Sequence, residues 1–219
     1  MPERVTPSGL YLVSPERLKG IPLLTAVDEA LAGGARWLQY RDKGGDATLR
    51  RATAVALAKL CRQHGAQLVI NDDLELALAI DGAGLHLGRD DGDLAAARAQ
   101  LGPDRVLGAS CYGDLQRARD ALAAGASYVA FGAMYASTSK PQAPAVGTGI
   151  LSDARAAGIG PRVAIGGITL ERAADTLSAG ADAVAVIGDV FDAPDIRQRV
   201  RGWCALLDSL PDHSNQNTP

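Results

Sequence analysis

The feature that most constrains this chain is a phrase it repeats three times. Ala32, Gly33, Gly34 and Ala35 lead into Trp37, Leu38, Gln39 and Tyr40. Ala124, Gly125 and Ala126 lead into Tyr128, Val129, Ala130 and Phe131, and Ala179, Gly180 and Ala181 lead into Ala183, Val184, Ala185 and Val186. Each time an alanine-rich helical stretch meets a glycine suited to the left-handed turn that ends helices, and an apolar β-prone run follows at once. Helix and strand in strict alternation imply parallel pairing, because parallel neighbours need a crossover between them. The same rhythm predicts strands over residues 9–14, 35–41, 67–71, 84–88, 106–110, 128–134, 162–166 and 183–187. Helices are predicted over 47–63, 115–124 and 170–178, among others, with a last one over 194–210. Eight such units close into a single (βα)8 TIM barrel rather than an open sheet, and put the active site at the carboxyl ends of the strands. Residues 1–210 read as that one domain and 211–219 as a polar, disordered tail.

Composition removes several classes of function. The chain of 219 residues carries a formal net charge of −3, so neither nucleic acid nor an anionic membrane is the expected partner. Its three cysteines, Cys61, Cys111 and Cys204, have no CxxC spacing, which argues against a zinc site or disulfide framework and for a reducing, cytoplasmic setting. The amino-terminal residues lack the apolar core of a signal peptide. The most apolar stretch, 121–136, is interrupted by Gly125, Ser127 and Gly132 and is too short to span a bilayer. The sequence leaves the oligomeric state open.

Against this background, the residues at the expected strand ends are unusual. Gln39, Arg41 and Lys43 alternate, which along a strand would aim an amide, a guanidinium and an ammonium from one face. Buried cations need partners, so a multiply charged anion is the natural occupant; a solvated basic loop is the plain alternative. Asn71, Asp72 and Asp73 end the third strand, and His86 sits inside the fourth, ahead of Arg89, Asp90 and Asp91. Asp72 and Asp91, opposite Arg41, Lys43 and Lys140, suit a hard dication such as magnesium, which takes one or two carboxylates and fills its shell with water and phosphate oxygens. Helix capping is the competing role for any of these aspartates, and it is assigned to Asp73 and Asp90, with solvent exposure as the other option. Gly166 and Gly167 after the seventh strand, and Gly188 after the eighth, free backbone N–H groups where barrels often hold a phosphate. The loop over 135–149 has no regular period and is long enough to expect a function. His86 reads as a hydrogen-bonded core histidine, Ser110 as a strand-end hydroxyl, and Trp37 and Trp203 as packing residues.

Taken together in order, these motifs resemble the thiamine-phosphate synthase family. Gln39-Tyr40-Arg41-Asp42-Lys43 matches its Gln-x-Arg-x-Lys, Asn71-Asp72 its Asn-Asp, and His86 to Asp91 its His-x-Gly-x-x-Asp. Ser110 matches its strand-five serine, Ser137-Thr138-Ser139-Lys140 its hydroxyl-rich loop, Gly166 to Thr169 its Gly-Gly-Ile-Thr, and Ile187-Gly188 its last turn. Arg89, Tyr112, Ser137, Ser139 and Gly188 depart from the residues usual there.

The resemblance implies a transferase that joins 4-amino-2-methyl-5-hydroxymethylpyrimidine diphosphate to 4-methyl-5-(2-phosphoethyl)-thiazole or its carboxylated form, with Mg2+ as cofactor. It implies magnesium on Asp72 and Asp91, catalytic roles for Arg41, Lys43, Lys140 and Ser110, and a pyrimidine-diphosphate site of Gln39, Tyr40, Arg41, Asp42, Lys43, Asn71, Ser110 and Lys140. Ser137, Thr138, Ser139, Gly167, Ile187 and Gly188 would hold the thiazole phosphate. Two competitors remain: a thiazole tautomerase, which would not need the diphosphate apparatus, and a non-catalytic sensor of phosphate ligands.

Overall fold

The computed structural model describes residues 5–44, 46–136 and 145–210. Eight strands lie in it: β1 (Gly9–Val13), β2 (Trp37–Tyr40), β3 (Gln67–Asn71), β4 (Gly84–Leu87), β5 (Leu107–Tyr112), β6 (Tyr128–Gly132), β7 (Arg162–Ile165) and β8 (Ala183–Val186). They pair in chain order, all parallel, and β8 returns to β1 to close the barrel. The helices of the first half are α1 (Gly20–Ala32), α2 (Ala47–Gln63), α3 (Leu74–Ala79) and α4 (Leu94–Leu101). Those of the second half are α5 (Leu115–Ala123), α6 (Gly149–Ala156), α7 (Leu170–Ser178), the single turn α8 (Gly188–Phe191) and α9 (Ile196–Ser209). Among the described residues no helix is long and apolar enough to cross a membrane. The tail expected over 211–219 lies outside the described residues, and so do Ser137, Thr138, Ser139 and Lys140.

The repeated phrase does what its composition dictates. Gly34, Gly125 and Gly180 have φ of 118°, 97° and 119°, the region an L side chain avoids, so each helix stops there and the chain turns into the next strand. At the opposite end, Asp46, Asp73, Asp93, Asp114 and Asp195 cap their helices by accepting a backbone N–H three residues on. Asp73 thus caps as expected, whereas the cap of α4 is Asp93 and Asp90 is left exposed.

Strand alternation then sorts the core into two shells. Leu38, Leu68, Ile70, Leu85, Leu107 and Phe131 face outward against the helices, all 4% exposed or less. Burying a side chain of this size contributes about 1.5–3 kcal/mol, so a Leu85→Ala cavity costs about 2–5 kcal/mol. The inward shell is smaller and aromatic at its base: Tyr11, Trp37, Val69, Tyr128, Val163 and Ala183. Trp37 meets Tyr11 edge-on at 5.8 Å, filling the barrel rather than stacking a ligand. Gly108 faces in on β5 because a methyl group there would land on the Tyr128 ring.

Candidate active site

Each strand of the first half delivers polar groups to the carboxyl end of the barrel, though not all by strand geometry. β2 stops at Tyr40, so the alternation predicted for Gln39, Arg41 and Lys43 holds only for Gln39. Gln39 points into the barrel and is 6% exposed, while Arg41 and Lys43 ride on the loop that follows. The loop is held in shape by its intervening residues. Asp42 pairs with Lys19, accepts the Gly44 N–H at 2.8 Å and accepts the Tyr40 hydroxyl at 3.1 Å. Burial pushes the Asp42 carboxyl up, but these three donors outweigh it and hold it below its ordinary value. Tyr40 itself packs outward among the helices. On the same loop the Arg41 N–H donates to Ser14 Oγ at 2.8 Å, and its guanidinium meets Glu16.

Asp72 is the pivot of the next two strand ends. Its φ of 64° is left-handed, a conformation that aspartate tolerates better than most residues. Its N–H donates to the His86 carbonyl at 2.8 Å, extending the β3–β4 pairing by one bond past Asn71. The carboxylate so aimed meets Lys43 Nζ at 3.1 Å. Asp91, after β4, folds back to accept the Gly88 N–H at 3.0 Å. Its carboxyl is raised above its ordinary value by desolvation, then by a hydrogen bond and charge repulsion from Asp72. The two carboxylates, beside one lysine, are a candidate donor set for a cation. A cleft of about 400 Å³ opens alongside, lined by Asp42, Lys43, Arg50, Asn71 and Asp72.

Below this rim the barrel interior is polar on one side. His86 on β4 has Tyr128 Oη 2.9 Å from Nδ1 and Ser110 Oγ 2.9 Å from Nε2. Burial lowers the imidazole to about 4, against a weaker opposing pull from Asp91, so it is neutral at neutral pH. The expected hydrogen-bonded core histidine is therefore what the structure shows, and its partner Ser110 is half-buried at the rim. Sequence reasoning missed Arg117, which leaves α5 to bond the carbonyls of Ser110 at 2.8 Å and Gly88 at 3.2 Å, lashing the ends of β4 and β5 together. It also missed the stack of the departing pair, Arg89 lying 4.7 Å over the Tyr112 ring.

Among the described residues, the ends of β7 and β8 offer the mouth chiefly backbone. A side chain on Gly166 (φ 104°) would come within 2.6 Å of Ala133 Cβ, and one on Gly167 (φ 64°) within 2.7 Å of the Ala136 carbonyl oxygen. The double glycine thus lets the β7 turn pack against the start of the loop after β6, beyond any service to a ligand. Ile187, just past β8, packs partly buried against the inward shell, and Gly188 opens α8.

A closed (βα)8 barrel whose carboxyl face sets a carboxylate pair and cations on one side and glycine turns on the other defines a phosphate-handling barrel enzyme. Residues 10–190 match the family model for thiamine monophosphate synthase. Thiamine-phosphate synthases of Chromobacterium violaceum and Methylobacillus flagellatus are 54% and 52% identical, covering 93% and 91% of this chain and 98% and 95% of their own. Among solved structures, the thiamine phosphate pyrophosphorylase of Pyrococcus furiosus superposes with a TM-score of 0.82 at 32% identity, over 91% of this chain and 95% of that one. This chain belongs to the thiamine-phosphate synthase family and is an enzyme of the transferase class.

Proposed function

We propose that the chain transfers a pyrimidinylmethyl group from its diphosphate to the ring nitrogen of a thiazole phosphate, giving thiamine phosphate and pyrophosphate. The observation that carries this reading is the Lys43–Asp72–Asp91 arrangement, with Arg41 on the same loop, at one end of the barrel. The carbon–oxygen bond to the diphosphate breaks and pyrophosphate departs with the electron pair. The thiazole nitrogen then forms the new bond to the methylene carbon, without passing a proton to any general base. Charge accumulates on the leaving group, and the Arg41 and Lys43 side chains would stabilise it there. Lys140, in the loop after β6, would add a third cation.

Gln39, Asn71 and Ser110 would orient the pyrimidine from β2, β3 and β5. Ser137, Thr138, Ser139, Gly167, Ile187 and Gly188 would hold the thiazole phosphate so that its nitrogen faces the departing bond. Asp72 and Asp91 would suit a magnesium ion, since a dication beside them would offset the repulsion from Asp72 that helps raise Asp91. Among the described residues no third His, Cys, Asp or Glu joins them, which leaves coordination positions for water and diphosphate oxygens. When bound, magnesium would neutralise charge on the diphosphate.

The test is a coupling assay with both substrates, in the presence of magnesium and again after chelation. Thiamine phosphate formed only with the metal supports the reading. Coupling indifferent to chelator overturns the metal assignment, and binding of both compounds without product overturns the reaction.

A further inference from the structure

Five side chains from five strands form one hydrogen-bonded line across the barrel interior. Gln39 Nε2 donates to the Tyr11 hydroxyl at 3.2 Å. The Tyr11 and Tyr128 hydroxyls are 2.8 Å apart, Tyr128 is 2.9 Å from His86 Nδ1, and His86 Nε2 is 2.9 Å from Ser110 Oγ. Tyr11, Tyr128 and His86 are 1%, 0% and 6% exposed, so water does not interrupt the line. The reaction as proposed employs the two ends, Gln39 and Ser110, and leaves the three middle members without a role.

Proton counting gives the line a direction. With Gln39 Nε2 donating to the Tyr11 oxygen, the Tyr11 proton finds an acceptor within the line only by passing to Tyr128. Tyr128 in turn donates to His86 Nδ1. A neutral imidazole that accepts at Nδ1 carries its hydrogen on Nε2 and donates it to Ser110 Oγ. The Ser110 proton is then released from the line and can point into the mouth. At the other end Gln39, with its nitrogen given to Tyr11, has its carbonyl oxygen left to accept.

We infer that Tyr11, Tyr128 and His86 are positioning residues that fix the polarity of the ring site, holding Gln39 as an acceptor and Ser110 as a donor. The line thereby selects a substrate ring that shows Gln39 an amino group over one that shows it a carbonyl oxygen. Discrimination arises because a carbonyl would face the Gln39 lone pairs with neither group supplying a hydrogen. The selection rests on the reading that Gln39 and Ser110 meet the pyrimidine; the direction of the line does not.

Tyr128→Phe keeps the ring that packs against Gly108 and deletes the hydroxyl in the middle of the line. With ¹⁵N-labelled histidine, the wild-type His86 should show the Nε2–H tautomer at neutral pH, and the variant should lose that preference. With amino- and oxo-pyrimidine diphosphates, the variant's ratio of kcat/KM values should fall at least tenfold, while KM for the thiazole phosphate moves less than twofold. In a Ser110→Ala background the Tyr128→Phe effect on KM for the pyrimidine diphosphate should shrink, since it acts through that serine. Tyr11→Phe cuts the line one link earlier and should repeat the loss of discrimination even if the 128 variant folds poorly.

A wild-type His86 protonated on Nδ1 overturns the direction. Variants that lose activity but keep full discrimination reduce the line to packing. Should the wild type fail to couple the two substrates, the proposed reaction falls, while the histidine spectrum still decides the direction of the line.

Discussion

Between β2 and β5 the mouth of this barrel is furnished with charged side chains, whereas between β7 and β8 it is furnished with backbone. Lys43, Asp72 and Asp91 meet through long or loop-borne groups that are partly exposed, so each could be exchanged without disturbing the core beneath. Gly166 and Gly167 present nothing but main chain, and their geometry is locked to residues 133–136. The difference teaches where function separates from folding. On the proposed roles, chemistry in the charged half can be removed at little structural cost, and in the glycine half the two rest on the same atoms.

The largest effect should come from Gly166→Ala. Backbone strain at a φ of 104° and a methyl group 2.7 Å from Ala133 Cα together cost about 3 kcal/mol. Urea unfolding should register it, and a variant as stable as the parent would show that the glycine half is not locked.

Next comes the polar floor beneath the charged half. His86 titrates near 4 when folded and near 6.5 when unfolded, so the unfolded chain takes up the proton first. Stability is therefore full above pH 6.5 and falls by about 3 kcal/mol as pH drops toward 4. Asp91 acts in the opposite sense, its raised carboxyl favouring the folded state at lower pH, but its exposure screens that contribution. Melting curves across this window should slope for the parent and flatten for His86→Asn; parallel slopes would remove His86 as the cause.

Lys43→Ala should lower turnover at least tenfold, about 1.4 kcal/mol, yet change stability by less than about 0.5 kcal/mol. Its side chain is 54% exposed and its one ion pair is at the surface. A variant that unfolds, or one fully active, would erase the contrast between the halves. The smallest effect belongs to Gly188→Ser, which has an ordinary φ and whose Cβ would meet only Asp192 Oδ2 at 2.7 Å. Asp192 is exposed and tied only by a surface ion pair with Arg17, so stability should stay within about 0.5 kcal/mol and KM for the thiazole phosphate within about threefold.

The sequence disclosed whatever was written locally. Glycines after alanine-rich helices announced the strand starts, and β3 and α2 have the limits predicted for them. Asn71, Asp72 and Asp91 stood out because acidic and amide groups are rare at the ends of apolar strands. The line from Gln39 to Ser110 was illegible, since it joins residues as far apart as Tyr11 and Tyr128 and exists only once the barrel closes. One trace was available: Gly108, a glycine inside a strand pattern, marks a place where something bulky comes close, and here it is the Tyr128 ring. Asp42 shows a second kind of illegibility. Its place in a charged motif suggested ligand contact, whereas its neighbours Lys19, Gly44 and Tyr40 engage it locally.

The left-handed backbone at Asp72 carries a consequence for how this enzyme could drift over generations. Only glycine, asparagine and aspartate sit at such a φ at modest cost, so a single-residue path away from the acid leads chiefly to two neutral replacements. Both would ease the crowding of like charge against Asp91, and glycine would also ease the backbone by about 1 kcal/mol. On the proposed magnesium role, a population selected for heat tolerance alone would thus be drawn toward a sturdier barrel short of one metal ligand at this codon. Continued demand for the product is what would hold the aspartate in place.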